Sequence, residues 1–397
     1  MPTMVSGIRA TSDLSTYRLR VDLADKISLL NPNANPFVLL SKKVGKVTAT
    51  QPKHSWLEDE LRPDKDQINY TTAYSSVASA LTVDHGSYFA AGDLVQVFDH
   101  YEILKVLEVS SNILYVTRNW PGVASTATGY NAALADNDWL IRLGNVNEEG
   151  ATAPSSVTTT ETQVDNYTQI FRTPFELTET ELNSLMHGDA DLPYQTRKKG
   201  IEHARDIEKT FFWGIPSSAN TGASSKPQRS MGGLWYFLKE NAPAANIVSQ
   251  AEITKAEFLD FIRNGFRYGS SRKVLFACPL VMSAIESWGL ADLITKSSDK
   301  TYGISISNWV SPHGEIALIN HKLLEGPNPG TAGGWNFLLD MEQVKYVALR
   351  NRDTKLLTNR QAPDQDSYEA EYLTEASLEV KLPEHHAVLY NVTSFAA

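Results

Sequence analysis

Several groups of residues in this chain could do chemistry if the fold brought them together. Asp84, His85 and Ser87 are the residue types of a hydrolytic triad, in which a histidine activates a serine hydroxyl and a carboxylate orients the ring. Closeness along the chain is no argument for one, because triads are assembled in space. Glu384, His385 and His386 are metal-ligand types. Neighbours on a strand point to opposite faces, so adjacent imidazoles do not readily share one ion. The other histidines, among them His54, His100, His187, His203, His313 and His321, are scattered without the spacing of a zinc-protease helix. Arg197, Lys198 and Lys199 could touch phosphates, although a solvated helix face is the simpler account. The lone cysteine, Cys278, closes the apolar run from Val274 and reads as a buried small hydrophobe. Carboxylates are abundant and nothing singles out a glycosidase-like pair. The chain has no Gly-rich nucleotide loop, dinucleotide fingerprint or nucleophile elbow. No catalytic, cofactor or metal site is expected, and the chain does not read as an enzyme.

Composition narrows the remaining classes. The 397 residues suffice for two or three domains. At 42% apolar and 21% charged, disorder is not the dominant state. The net charge of −10 argues against a dedicated nucleic-acid binder and suits a protein that must stay soluble before assembling. No signal-peptide pattern and no membrane-length apolar stretch is seen, so folding in a cytoplasm, away from any membrane, is expected.

The elements that would position side chains follow from periodicity and punctuation. Leu23, Ile27 and Leu30 share a helical face, and the prolines of Asn31 to Phe37 are expected to break that helix. A polar, extended stretch over 46–80 contains Trp56, Leu57 and Leu61 among charges. Trp56 either marks a contact surface or packs in a small cluster under a loop. Short strands recur over 80–145, as in a small antiparallel barrel or sandwich. Thr178 followed by Glu181 predicts a capped short helix, then a loop, then a long helix striped by Ile201, Ala204, Ile207 and Phe211. A helix lined by Phe258, Leu259, Ile262 and Phe266, with Thr254 as N-cap, precedes the strand from Val274. Met282, Ile285 and Trp288 mark the next helix. Alternating strands follow at 335–339, 344–350 and 368–381, and Val388 to Tyr390 comes after Pro383. Arms and long strands that cannot bury themselves need neighbours, which favours an assembly protein.

Several stretches carry a more specific resemblance in their order and spacing. They are Leu29 to Phe37, His54 to Leu61, Gly92 to Val95, Val116 to Gly122, Glu148 to Gly150, Asn166 to Phe171 and Glu208 to Gly214. In these the chain resembles the tailed-phage major capsid proteins with the Hong Kong 97-like fold, in the subfamily with a β-rich insertion in the extended loop. The resemblance implies an α+β fold and a layout. Residues 1–45 would be the N-terminal arm, and 46–165 the extended loop with the β domain at about 80–145. Residues 166–245 and 335–381 would be the peripheral domain with its long spine helix, and 246–334 with 382–397 the axial domain. It implies pentamers and hexamers closing an icosahedral virion shell around packaged double-stranded DNA, touched non-specifically. Portal, scaffolding or decoration proteins are possible partners, and assembly would occur in the host cytoplasm. The expected inter-subunit contacts are Trp56, Leu57, Leu61 and Phe37. The alternatives are a phage tail or receptor-binding structural protein, and a carbohydrate-active enzyme with an accessory β domain.

Overall fold

The computed structural model describes residues 35–98, 102–120, 132–153, 156–184, 191–219, 226–288, 294–295, 306–328 and 330–396. The expected helix around Leu23, Ile27 and Leu30 lies outside them. The chain divides into two units. One is Leu57–Val164; the other takes the chain up to Trp56 and from Asp165 onward. The paired strands Lys53–Glu58 and Thr162–Tyr167 contain the points at which the chain passes from one unit to the other.

The 57–164 unit is built on six antiparallel strands, in the order Lys65–Gln67, Trp139–Asn145, Asp93–Val97, Ile103–Ser110, Ile113–Thr117 and Ala80–Thr82. The two outer strands meet through an Ile68–Val83 bridge, flanked by hydrogen bonds from Asn69 N to Thr82 O (3.0 Å) and from Asp84 N to Gln67 O (3.1 Å). The sheet thus closes into a barrel, which removes its exposed edges. Alternation decides what fills it: Val95, Val97, Leu104, Val106, Leu114, Val116 and Leu140 point inward. The strands begin at Lys65, ahead of the stretch from 80 that the apolar pattern marks, because Lys65–Gln67 has no apolar residue and even its buried position is a carboxylate, Asp66.

Among the described residues the other unit has two large sheets, besides the small pairs Ser217–Ala219 with Gln228–Ser230 and Glu252–Ile253 with Ser394–Phe395. In the first, the order is Lys46–Ala49, Val344–Leu349, Ser367–Val380 and Gln169–Thr178, with Lys355–Leu357 also paired to the 14-residue central strand. Helix α1 (Pro36–Val44) packs beside it. After the short α2 (Glu179–Leu182), capped by Thr178 as expected, the 23-residue α3 (Asp191–Trp213) crosses the sheet. Gly200 sits mid-helix at a cost of about 1 kcal/mol against alanine. A Cβ there would come within 3.2 Å of the Tyr372 ring, so the glycine lets helix and sheet approach. Ile207 and Phe211 of the expected stripe are buried, while Ile201 and Ala204 are half-buried.

The second sheet runs Ile247–Ser249, Ala387–Val392, Gly334–Leu339, Arg272–Ala277, Gly314–Asn320, Ile306–Ser311 and Ile294–Thr295. Helices α4 (Leu234–Asn241), α5 (Lys255–Gly265) and α6 (Pro279–Ser287) complete this unit among the described residues. Thr254 and Glu257 form a capping box on α5.

Some expectations need correction. Pro36 begins helix α1, at the first helical position where its missing N–H costs nothing, while the expected break of the preceding helix lies outside the described residues. Phe258, Phe261, Ile262 and Gly265 form the buried face of α5, with Leu259 left exposed. Strand Gly334–Leu339, expected with 335–381, pairs in the second sheet and is buried on both faces, so it does not alternate. Strand Lys46–Ala49, expected in the extended loop, pairs in parallel with Tyr346–Leu349 of the first sheet. The mixed α+β architecture, with a long helix over a sheet, a second α/β layer and a separate barrel unit, is the one that the Hong Kong 97-like resemblance implies.

Candidate functional site

The groups with catalytic residue types are dispersed. His85 Nδ1 lies 3.1 Å from Asp66 Oδ1, and Asp84 instead accepts from Asn69 Nδ2 at 2.7 Å, so no triad forms with Ser87. Lys199 is paired with Glu202 at 2.7 Å. Cys278 is fully buried, and burial pushes its thiol up. Among the described residues, no group of three or more His, Cys, Asp or Glu is placed to hold a metal ion.

The charged residues that are buried hold the body together. Lys273, 2% exposed, donates to the carbonyls of Gly265 (2.6 Å), Tyr268 (2.8 Å) and His385 (2.5 Å). Burial lowers its pKa to about 8, which still leaves an ammonium at neutral pH. It ties the end of α5 to the turn before the last long strand. Beside it, the His386 ring accepts from Asp340 N at Nδ1 (3.1 Å) and donates from Nε2 to Lys381 O (3.2 Å). That pattern requires the neutral ring. Burial, then the Lys273 charge, lowers its pKa to about 3. His203, between the hydroxyls of Thr173 (2.9 Å) and Thr374 (2.7 Å), is lowered too, chiefly by burial.

These histidines predict an acid-labile fold. The unfolded chain takes up their protons below pH 6.5 and the native state does not, so stability is complete above that pH and falls as pH drops towards 3. At about 1.4 kcal/mol per unit, His386 alone contributes a loss on the order of 4 kcal/mol across this window. Melting temperatures measured from pH 7 to 5, above the range where carboxylates titrate, should fall steadily. His386→Asn should be less stable at pH 7 and should show a shallower fall. Equal slopes in the two proteins would exclude this assignment.

The N-terminal segment is fastened by a carboxylate. Helix α1 has no side-chain N-cap of its own. Glu208, fully buried on α3, replaces it, with Phe37 N donating to Oε1 (2.8 Å) and Val38 N to Oε2 (2.7 Å). His321 Nε2 lies 2.8 Å from the same Oε1, so one side chain joins α1, α3 and the end of strand Gly314–Asn320. Phe37 packs on Phe212, Phe276 and Phe211 at ring distances of 5.1, 5.4 and 5.9 Å. Farther along, Lys46 reaches Asp353 at 2.5 Å. Burial would raise the Asp353 carboxyl, but Lys46, the Thr354 amide, Lys42 and the Tyr346 hydroxyl together bring it down to about 2. Sequence reasoning missed Glu208, although a signal existed: it lies directly beside Ile207 and in phase with Phe211 and Phe212 on the buried side of α3.

The expected contact residues separate into two pairs. Phe37 (0% exposed) and Trp56 (6%) belong to their own subunit's core, which removes them as surface anchors. Trp56 resolves to the packed cluster, against Phe237 at 5.8 Å and His54 at 6.0 Å. Leu57 (65%) and Leu61 (94%) stand exposed.

Comparison with known proteins gives these elements their context. The SU10 major capsid protein family matches residues 6–393. The "Major capsid protein" of Pseudomonas phage PaMx41 is 21% identical over 337 residues, covering 82% of this chain and 78% of that protein. By structure, the chain is similar to the capsid of a native GTA particle (TM-score 0.48, 10% identity, 96% of this chain and 97% of that one). It is also similar to a chain of Microbacterium phage Oxtober96 (TM-score 0.44, 10% identity, 97% and 99%). The family match runs through both units, and the chain therefore belongs to the SU10 major capsid protein family, whose members are structural subunits of phage capsids and not enzymes.

Proposed function

We propose that this protein closes as pentamers and hexamers into the icosahedral shell of a tailed double-stranded DNA phage. The observation that carries the reading is the family match across 6–393. Head-to-tail contacts between identical subunits close into rings when the rotation permits, and one chain serving two ring sizes needs a rigid body with adjustable extensions. The body is α3 on its sheet, taken as the peripheral domain, and the seven-stranded sheet, taken as the axial domain. The extension is the ribbon Lys53–Glu58 with Thr162–Tyr167 together with the barrel unit, taken as the extended loop. An isolated two-stranded ribbon is marginal in water, so a neighbouring copy would complete its burial. Leu57 and Leu61 would make that contact. Portal, scaffolding or decoration proteins and the packaged DNA are further partners in this reading, with assembly in the host cytoplasm.

Expression of the chain alone followed by negative-stain microscopy tests the proposal. Closed isometric shells or ring-shaped capsomers are the expected result; fibres or stable monomers would overturn it. Leu61→Ser should lower shell yield about tenfold or more while the subunit's melting temperature stays unchanged, since surface substitutions shift stability by only about 0.5 kcal/mol.

A further inference from the structure

The barrel presents large apolar side chains to solvent as well as to its core. Inward and outward positions alternate along a strand, so the residues between the buried ones form its outer face. On that face Trp139 is 45% exposed and Phe98 is 59% exposed. They are cross-strand neighbours: Val97 pairs with Leu140, and Phe98 N donates to Trp139 O at 2.9 Å. Gln67 lies opposite Trp139 on its other side. Two residues along, Gln96 and Lys65 flank Ile141. Two aromatic rings and two amides thus share an outer stripe across three strands. Gln67 Nε2 donates to Asn137 O at 3.0 Å, which holds the amide and leaves Oε1 as an acceptor. Tyr70, 41% exposed and stacked on Tyr74 at 4.2 Å, stands by the turn that leads to Trp139, with its N–H on Asp136 at 2.9 Å.

Such a stripe selects its ligand by size and chemistry. A stable protein contact needs about 800 Å² and about 20–30 residues a side. Three neighbouring strands span only about 10 Å, room for a short chain of rings and not for a protein face. The stripe carries no carboxylate and one cation, Lys65, so a polyanion gains little from it. Aromatic rings alone would suit hydrocarbon, yet the amides and the indole N–H among them require polar partners. Saccharides offer both surfaces: ring C–H groups that pack on the electron-rich face of an aromatic, and hydroxyls that pair with amides. We infer that the barrel stripe binds a neutral saccharide chain, with Trp139 and Phe98 as the stacking platform and Gln67 and Gln96 as hydroxyl partners. This goes beyond shell formation and gives the subunit a surface that recognises glycans.

A printed array of neutral and charged oligosaccharides tests it. Labelled full-chain protein, as free subunits and as assembled shells, should bind neutral glycans, with the same oligosaccharide in solution competing. Trp139→Ala and Phe98→Ala should each lower the signal about tenfold or more, and Gln67→Ala less. Trp139→Tyr, which keeps a ring face, should retain most of it. These positions face outward, so melting temperature and shell yield should stay near wild type. A wild type that binds no neutral glycan, or variants that bind as well as it does, would overturn the inference. Signal confined to charged glycans would overturn it too, by assigning recognition to charge. Binding by subunits that shells lose, or a Trp139→Ala subunit that folds but forms no shells, would show a second copy covering the stripe and overturn it. Subunits that bind neutral glycans yet never assemble would support it and overturn only the shell reading.

Discussion

Glu208→Ala is expected to destabilise the body by about 3–5 kcal/mol, the range for removing one partner from a buried charged network. Three groups lose their acceptor at once: Phe37 N, Val38 N and His321 Nε2, each 2.7–2.8 Å from the carboxylate. None can turn to water, because Phe37, Val38 and His321 are at most 3% exposed. The loss should be local first. Helix α1 is only nine residues long, too short to persist without its dock. Amide exchange at Phe37 and Val38 should accelerate before the sheets open. Glu208→Gln should fall between, since an amide keeps one acceptor oxygen but sets an NH2 against a donor. Urea melts that place both variants within 1 kcal/mol of wild type, a limit set as about the error of such differences, would remove Glu208 from this role.

Trp56→Ala is expected to cost about 3–5 kcal/mol and to unfold the subunit before it can impair assembly specifically. The ring is 6% exposed and packs on Phe237 of α4. Its strand is further held by His54, 2.7 Å from Glu379 Oε2. Burial opposes ionisation of Glu379, but His54 and Lys381 outweigh it and hold the carboxyl below its usual range. The comparison with Leu61→Ser is the informative part. Two positions five residues apart should give opposite phenotypes, a lower melting temperature for Trp56 and a lower shell yield at constant melting temperature for Leu61. A Trp56→Ala subunit that melts like wild type yet fails to assemble would return Trp56 to the interface.

The sequence by itself determined the class of the protein and most of its elements. Five of the six barrel strands, the α2 cap at Thr178, the long α3 and the N-cap at Thr254 were legible, because caps and apolar periodicity are local and each residue reports its own backbone preference. The capsid class came instead from the resemblance carried by the order of stretches such as His54 to Leu61 and Glu208 to Gly214. What only the tertiary structure decided is where each buried polar and aromatic group finds its partner. Glu208 reads as one more charge on a helix until α1 and His321, 170 and 113 positions away, meet it. Trp56 and Leu61 look alike within a charged stretch, and only the position of Phe237 makes one core and leaves the other surface. Strand Gly334–Leu339 alternates by composition yet is buried on both sides, because layers distant in sequence cover it. Local interactions are written into adjacent residues, whereas burial is a property of what the rest of the chain brings to a position.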